Sequence, residues 1–118
     1  YKVPNGVVEI GERSFAGYTL LEGMILPHSV RKIGLSTFEG CSGLNSVTIM
    51  GKLDVVMERA FYKCTNLRTV SFDRIRRIEK DAFKGTSICR EFDLEDLDLD
   101  NTEEVTGFVK RNALNDLK

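Results

Sequence analysis

The chain predicts an α/β, mostly β solenoid, a stack of short coils whose strands line up into a parallel sheet. Phe15, Phe38, Phe61 and Phe83 recur at intervals of 23, 23 and 22 residues, and a fixed set of apolar slots travels with each of them. A unit this short cannot enclose a core of its own, so each copy must bury its apolar side chains against the next. One segment of each copy also alternates apolar with polar residues, the pattern of a strand with one buried face.

Taken in order along one copy, the first element is an apolar pair on the return side. Eight residues before each Phe stand Val7, Val30, Leu53 and Ile75, and five before it stand Ile10, Ile33, Val56 and Ile78. This pair predicts a short extended segment. Next comes the Phe itself, expected to be wedged into the core by a single helical turn, as over Leu35 to Gly40. Gly17, Gly40 and Gly85 follow it by two residues and suit a turn end that needs positive φ. Lys63 takes that place in the third copy, so there the turn must strain or differ.

The slot six residues after Phe holds Leu21, Leu44, Leu67 and Cys89 and leads into the principal strand. Its inward residues are Met24 and Leu26, Val47 and Ile49, Val70 and Phe72, and Phe92 and Leu94. Between them stand polar residues, as in Ser46-Val47-Thr48-Ile49. One such strand per coil, spaced by about 4.8 Å, makes a parallel sheet along the solenoid. The copies run over residues 3–26, 27–49, 50–72 and 73–94 of a single domain, 1–118.

In its best copy the motif reads Pro27-x-x-Val30-x-x-Ile33-Gly34-x-x-x-Phe38-x-Gly40-Cys41 followed by Leu44-x-x-Val47-x-Ile49. Ala60-Phe61, Ala82-Phe83 and Ile10-Gly11 repeat parts of it. This pattern resembles the BspA-like class of leucine-rich repeats over residues 3 to 94. The resemblance implies a right-handed curved solenoid with a strand-lined inner face. It also implies a surface or secreted protein that attaches to a host, a matrix or another cell.

At 118 residues, 42% apolar and 30% charged, the composition is that of one ordinary globular domain. No apolar run approaches the length of a membrane span. The chain begins at Tyr1, directly on a copy and without a polar cap, and is expected to be a piece of a longer protein. Three cysteines leave one unpaired in any disulfide scheme. Cys41 and Cys64 fill the same slot in adjacent copies, where side chains run parallel rather than toward each other, so reduced, buried thiols are expected. No Cys-x-x-Cys pair or Cys-His cluster points to zinc, and no cofactor is expected.

In the last copy, beyond Phe83, the pattern degrades. Glu91 to Asp100 keeps alternating with carboxylates on the polar positions, and is expected to hold strands at Phe92 and Leu94 and at Leu97 and Leu99. Asn101 with Glu104 resembles a capping box. Val105, Phe108, Val109, Ala113 and Leu117 recur at helical spacing, predicting a C-terminal capping helix near 102–117.

The net charge of −1 conceals a division: residues 1–90 hold 14 basic against 9 acidic residues, and residues 91–118 hold 3 against 9. Arg31, Lys32, Lys52, Arg74, Arg76 and Arg77 stack into a basic stripe on the return side. A nucleic acid or a polyanionic glycan would bind such a stripe by neutralising its own charge. Without interleaved aromatics, the preferred reading is a solvated face balanced by Glu58, Glu79 and Asp81, and nucleic acid is not an expected partner.

The face of the principal sheet passes from apolar (Gly23, Ile25, Pro27) through hydroxyl (Ser46, Thr48, Thr69, Ser71, with Met50) to acidic (Asp73, Glu91, Asp93, Glu95). Such a gradient suits an extended protein partner, with apolar contact at one end and cation pairing at the other. The candidate partner-binding residues are Ser46, Thr48, Met50, Thr69, Ser71, Asp73, Glu91 and Asp93. A flat ladder spreads its carboxylates instead of converging them on an ion, so no metal site is expected. Neither is an enzyme: the lone His28 follows Pro27 at a coil corner, and no nucleophile elbow, phosphate loop or metalloprotease pair occurs. The expected function is therefore non-catalytic protein interaction within a surface or secreted protein, with a macromolecular partner bound on the concave, strand-lined face. Its alternatives are a structural spacer or an intracellular scaffold.

Overall fold

The computed structural model describes residues 1–88. Among these residues seven strands follow one another as β1 (Glu9–Ile10), β2 (Gly23–Leu26), β3 (Lys32–Ile33), β4 (Ser46–Ile49), β5 (Lys52–Val56), β6 (Thr69–Ser71) and β7 (Arg74–Ile78). Odd and even strands separate into two parallel sheets, ordered β1-β3-β5-β7 and β2-β4-β6. The return-side pairs and the principal strands of the sequence thus each form a sheet. The predicted C-terminal helix and the strands of 92–99 lie outside the described residues.

In-register stacking puts like residues on like. Met24 lies beside Val47 and Val47 beside Val70, while Ile10, Ile33, Val56 and Ile78 form a column in the other sheet. These side chains are buried, together with Phe38, Phe61, Phe83, Leu44 and Leu67. The aromatic rings stack through the middle of the core. Phe15 to Phe38 is 5.4 Å between centroids, and Phe38 to Phe61 and Phe61 to Phe83 are each 5.1 Å, with planes within 8–14° of parallel. Rings this nearly parallel at that separation are offset rather than eclipsed, the arrangement their quadrupoles favour.

The segment around each Phe is not the helical turn its spacing suggests. Its amides alternate in direction. Ser36, Phe38 and Gly40 donate to the carbonyls of Glu58, Ala60 and Tyr62 in the next coil, while Thr37, Glu39 and Cys41 donate three residues back, to Gly34, Ser36 and Phe38. The same scheme recurs one coil earlier and one coil later. A helix aims all its amides along one axis and would leave the neighbouring coil's carbonyls without donors, so the turn ladder displaces it.

Alternation of this kind requires left-handed residues on both sides of Phe. After it stand Gly17, Gly40 and Gly85, with Lys63 at φ 60°. Before it stand Arg13, Ser36, Arg59 and Asp81, all with φ between 51° and 59°. The third copy therefore strains rather than differs, and every coil also holds a strained left-handed residue before its Phe. Glu39 braces two of these positions, lying 3.3 Å from Arg59 and 3.9 Å from Arg13 on the coils either side. Arg59 in turn sits 4.1 Å over the Tyr62 ring.

Three departures from the expected slots stand out. Tyr1 to Val3 take the strand positions of one more copy: Lys2 bridges Ile25, Val3 is buried, and amides link the two segments. Pro27 is buried rather than facing outward, because the chain turns a corner directly after β2. Ile88, one residue short of the leucine slot, is fully buried and donates to Leu67.

The shortened period is accommodated at the same corner. Thr48 pairs with Ser71 but Lys52 pairs with Arg74. Three residues, Ile49 to Gly51, therefore turn the corner in one copy, and Phe72 and Asp73 alone do so in the next.

Candidate functional site

The outer surface of the β2-β4-β6 sheet is built by register. Gly23, Ser46 and Thr69 form one column, and Ile25, Thr48 and Ser71 a second. The backbone alternation that buries Met24, Val47 and Val70 turns these side chains out of the core. Ser46, Thr48, Thr69 and Ser71 are half-buried, screened by one another along the columns. Among the described residues their hydroxyls make no hydrogen bond within the protein. The buried hydroxyls are engaged: Thr37 donates to Gly34 O at 2.8 Å, Thr86 to Phe83 O at 2.7 Å and Ser87 to Thr65 O at 2.6 Å.

Met50 and Asp73 lie past the strand ends, exposed at the corner. Ile25 is 40% and Met50 47% exposed, an apolar margin beside the hydroxyl columns. Ser46, Thr48, Thr69 and Ser71 are thus brought onto one face, with Met50 and Asp73 at its rim, whereas Glu91 and Asp93 lie outside the described residues. His28 is exposed at its corner, and its backbone is closely approached by Gly51.

Both thiols of the ladder are reduced and buried. Cys41 Sγ donates to Phe15 O and Cys64 Sγ to Phe38 O, each at 3.0 Å. Each of these carbonyls also accepts an amide from three residues on, so the thiol fills its second lone pair. The neighbouring Cys41 sulfur and burial together push the Cys64 thiol up, while the same contact shifts Cys41 the other way. Packing and backbone satisfaction account for the pair.

On the other sheet only Glu79 of the expected carboxylates balances the basic stripe. Asp54 pairs with Arg31 at 3.0 Å, Glu9 with Lys32 at 3.4 Å and Glu79 with Arg77 at 2.7 Å. Glu58 and Asp81 form no ion pair among the described residues. The balance depends on cross-strand register, which residue order alone does not display.

The two sheets, the apolar columns and the phenylalanine ladder find their counterpart in one family model. The BspA type leucine rich repeat region, in six copies, matches residues 1–102. The chain belongs to this family. BspA-type repeats are generally associated with surface proteins, and leucine-rich repeat domains commonly mediate protein interactions. Among solved structures, a leucine-rich repeat protein of T. pallidum is similar at 26% identity and a TM-score of 0.44. That match covers 70% of this chain and 52% of the other, so the chain spans about half the length of that relative. No curated protein matches. Among the described residues of this BspA-type domain, no helix is long and apolar enough to cross a membrane.

Proposed function

We propose that this domain is a non-catalytic protein-interaction module of a surface or secreted protein, and that it binds a macromolecular partner on the outer face of the β2-β4-β6 sheet. One observation carries the reading. Four hydroxyls, Ser46, Thr48, Thr69 and Ser71, stand in register without protein partners, beside exposed Ile25 and Met50. Folding gains little from unpaired, half-buried hydroxyls, whereas a docking backbone or polar side chain would supply their hydrogen bonds. The rigid ladder beneath holds them in place before binding, which lowers the ordering cost of association.

The proposal includes the absence of chemistry. His28 has no activating partner beside it among the described residues, and the thiols are committed to backbone carbonyls inside the core. A Thr48→Arg/Ser71→Arg double variant tests the surface. Both side chains point away from the core, but the two arginines stand directly opposite in register and repel, so the thermal unfolding midpoint should fall slightly while circular dichroism stays native. Capture of protein from a solubilised matrix or cell-surface extract should drop at least tenfold. Undiminished capture by the folded variant would instead support a spacer that presents another part of its parent protein.

A further inference from the structure

On the β1-β3-β5-β7 sheet, strands β5 and β7 border a shallow depression of ≈340 Å³ lined by Arg31, Lys52, Leu53, Asp54, Arg74 and Arg76. Leu53 is buried beneath it, and the remaining five side chains supply four cations and one carboxylate. Register explains the crowding. Lys52 stands directly opposite Arg74, and the neighbouring pairs Leu53 with Ile75 and Val55 with Arg77 place Asp54 opposite Arg76.

Asp54 is already engaged, with Oδ1 3.0 Å from Arg31 Nη2. Lys32 and Arg77, just outside the depression, are neutralised by Glu9 and Glu79. Lys52, Arg74 and Arg76 are exposed and form no ion pair among the described residues. Like charges directly opposite on neighbouring strands destabilise a sheet. The fold therefore gains nothing from setting Lys52 against Arg74, and the pair repels until an anion lies between them.

We propose that this depression binds a sulfated polysaccharide. Sulfate groups on neighbouring sugars would pair with Lys52, Arg74 and Arg76, while Arg31 stays with Asp54. Strands about 4.8 Å apart, and alternate residues about 7 Å apart along one strand, set the cations on a grid. A grid suits a chain carrying several small anions better than it suits a single ion. Nucleic acid offers the same charge but also bases, and none of the lining residues is an aromatic on which a base could stack. The site lies on the opposite sheet from the hydroxyl columns and does not depend on them.

Titration of the whole chain with a heparin oligosaccharide, the same oligosaccharide after desulfation, and a single-stranded oligonucleotide of equal charge tests the proposal. The sulfated sugar should bind, the desulfated sugar should not, and the oligonucleotide should bind more weakly. Arg74→Gln/Arg76→Gln should reduce the slope of log affinity against log salt by about 1.5, from roughly 0.7–0.9 per lost contact. Lys52→Gln should reduce it by about half that amount. Arg68→Gln, an exposed cation outside the depression, should leave it unchanged. Full heparin affinity in the double variant, an equal loss in Arg68→Gln, or tighter binding of the oligonucleotide would overturn it.

Discussion

Phe61→Ala removes an inner ring of the stack and tests whether the phenylalanine ladder carries the fold. Phe61 is fully buried, with a near-parallel ring 5.1 Å away on each side. Truncating a buried phenylalanine costs about 3–5 kcal/mol through lost transfer energy and the cavity left behind. Two ring contacts disappear here, each worth about 0.5–1.5 kcal/mol beyond burial, so the upper half of that range is expected. Phe15 is the internal comparison. It is half-buried, with a stacked ring on one side and only the tilted Tyr1 and Tyr18 rings otherwise. Phe15→Ala should cost about half as much, ~2 kcal/mol. Urea unfolding monitored by circular dichroism, at constant m, measures both. A domain of this size is stable by about 5–15 kcal/mol, so the inner variant should visibly shift the midpoint. Equal costs at the two positions, or a cost below ~2 kcal/mol at Phe61, would refute a core that depends on coil-to-coil stacking.

Lys63→Gly relieves the left-handed strain at φ 60°, offset in part by the entropy of glycine, and should raise stability by about 0.5 kcal/mol; an unchanged or lower melting temperature would count against strain there. Gly40→Ala should do the opposite, costing about 1 kcal/mol in a denaturant titration, because no atom lies within 4 Å of a new Cβ and only φ is penalised. The raised Cys64 pKa makes its contribution to stability fully present below the ordinary thiol value of 9.0 and lost as pH climbs above it, by at most about 1.4 kcal/mol per pH unit, whereas the lowered Cys41 acts only below that value. Cys64→Ala should flatten that alkaline slope in unfolding measured from pH 8 to 10.5, and a slope unaltered by the substitution would assign it to other groups. Thr37→Val keeps the volume but removes the buried hydroxyl donated to Gly34 O, with Gly11 O also 3.1 Å away, and should cost about 1–2 kcal/mol by thermal unfolding.

The apolar slots were legible because burial and period are the same fact in a solenoid. Val30, Ile33, Phe38, Leu44, Val47 and Ile49 read as core from their recurrence alone, and all are buried. Strand assignment followed for the same reason, since alternation survives even in a segment of four residues. The spacing around Phe suggests a helical turn, but half of the hydrogen bonds there run to the next coil and leave no trace in residue order. Arg13, Ser36, Arg59 and Asp81 share no chemistry that announces a left-handed backbone. The demand comes from the carbonyls of the next coil, which sequence spacing does not display.

The surfaces were partly legible. Period two puts Ser46, Thr48, Thr69 and Ser71 on one face, where the register aligns them. Their freedom from internal partners depends on what surrounds them. Tyr1 to Val3 are too short for periodicity to register, yet Val3 sits in the slot of Leu26 one coil on. Cations of the return side were visible as residues. Which of them faces a carboxylate is decided by the offset between β5 and β7, one residue shorter than that between β3 and β5.

That shorter offset has a use beyond this protein's own chemistry. Because the chain between Ile49 and Lys52 changes length while the strands on both sides keep their pairing, the bend beside Met50 is a ready graft point. Peptide epitopes spliced there would project from the edge of the scaffold, provided that the Met50 amide keeps its bond to Leu26 O and Gly51 its close packing on the His28 backbone.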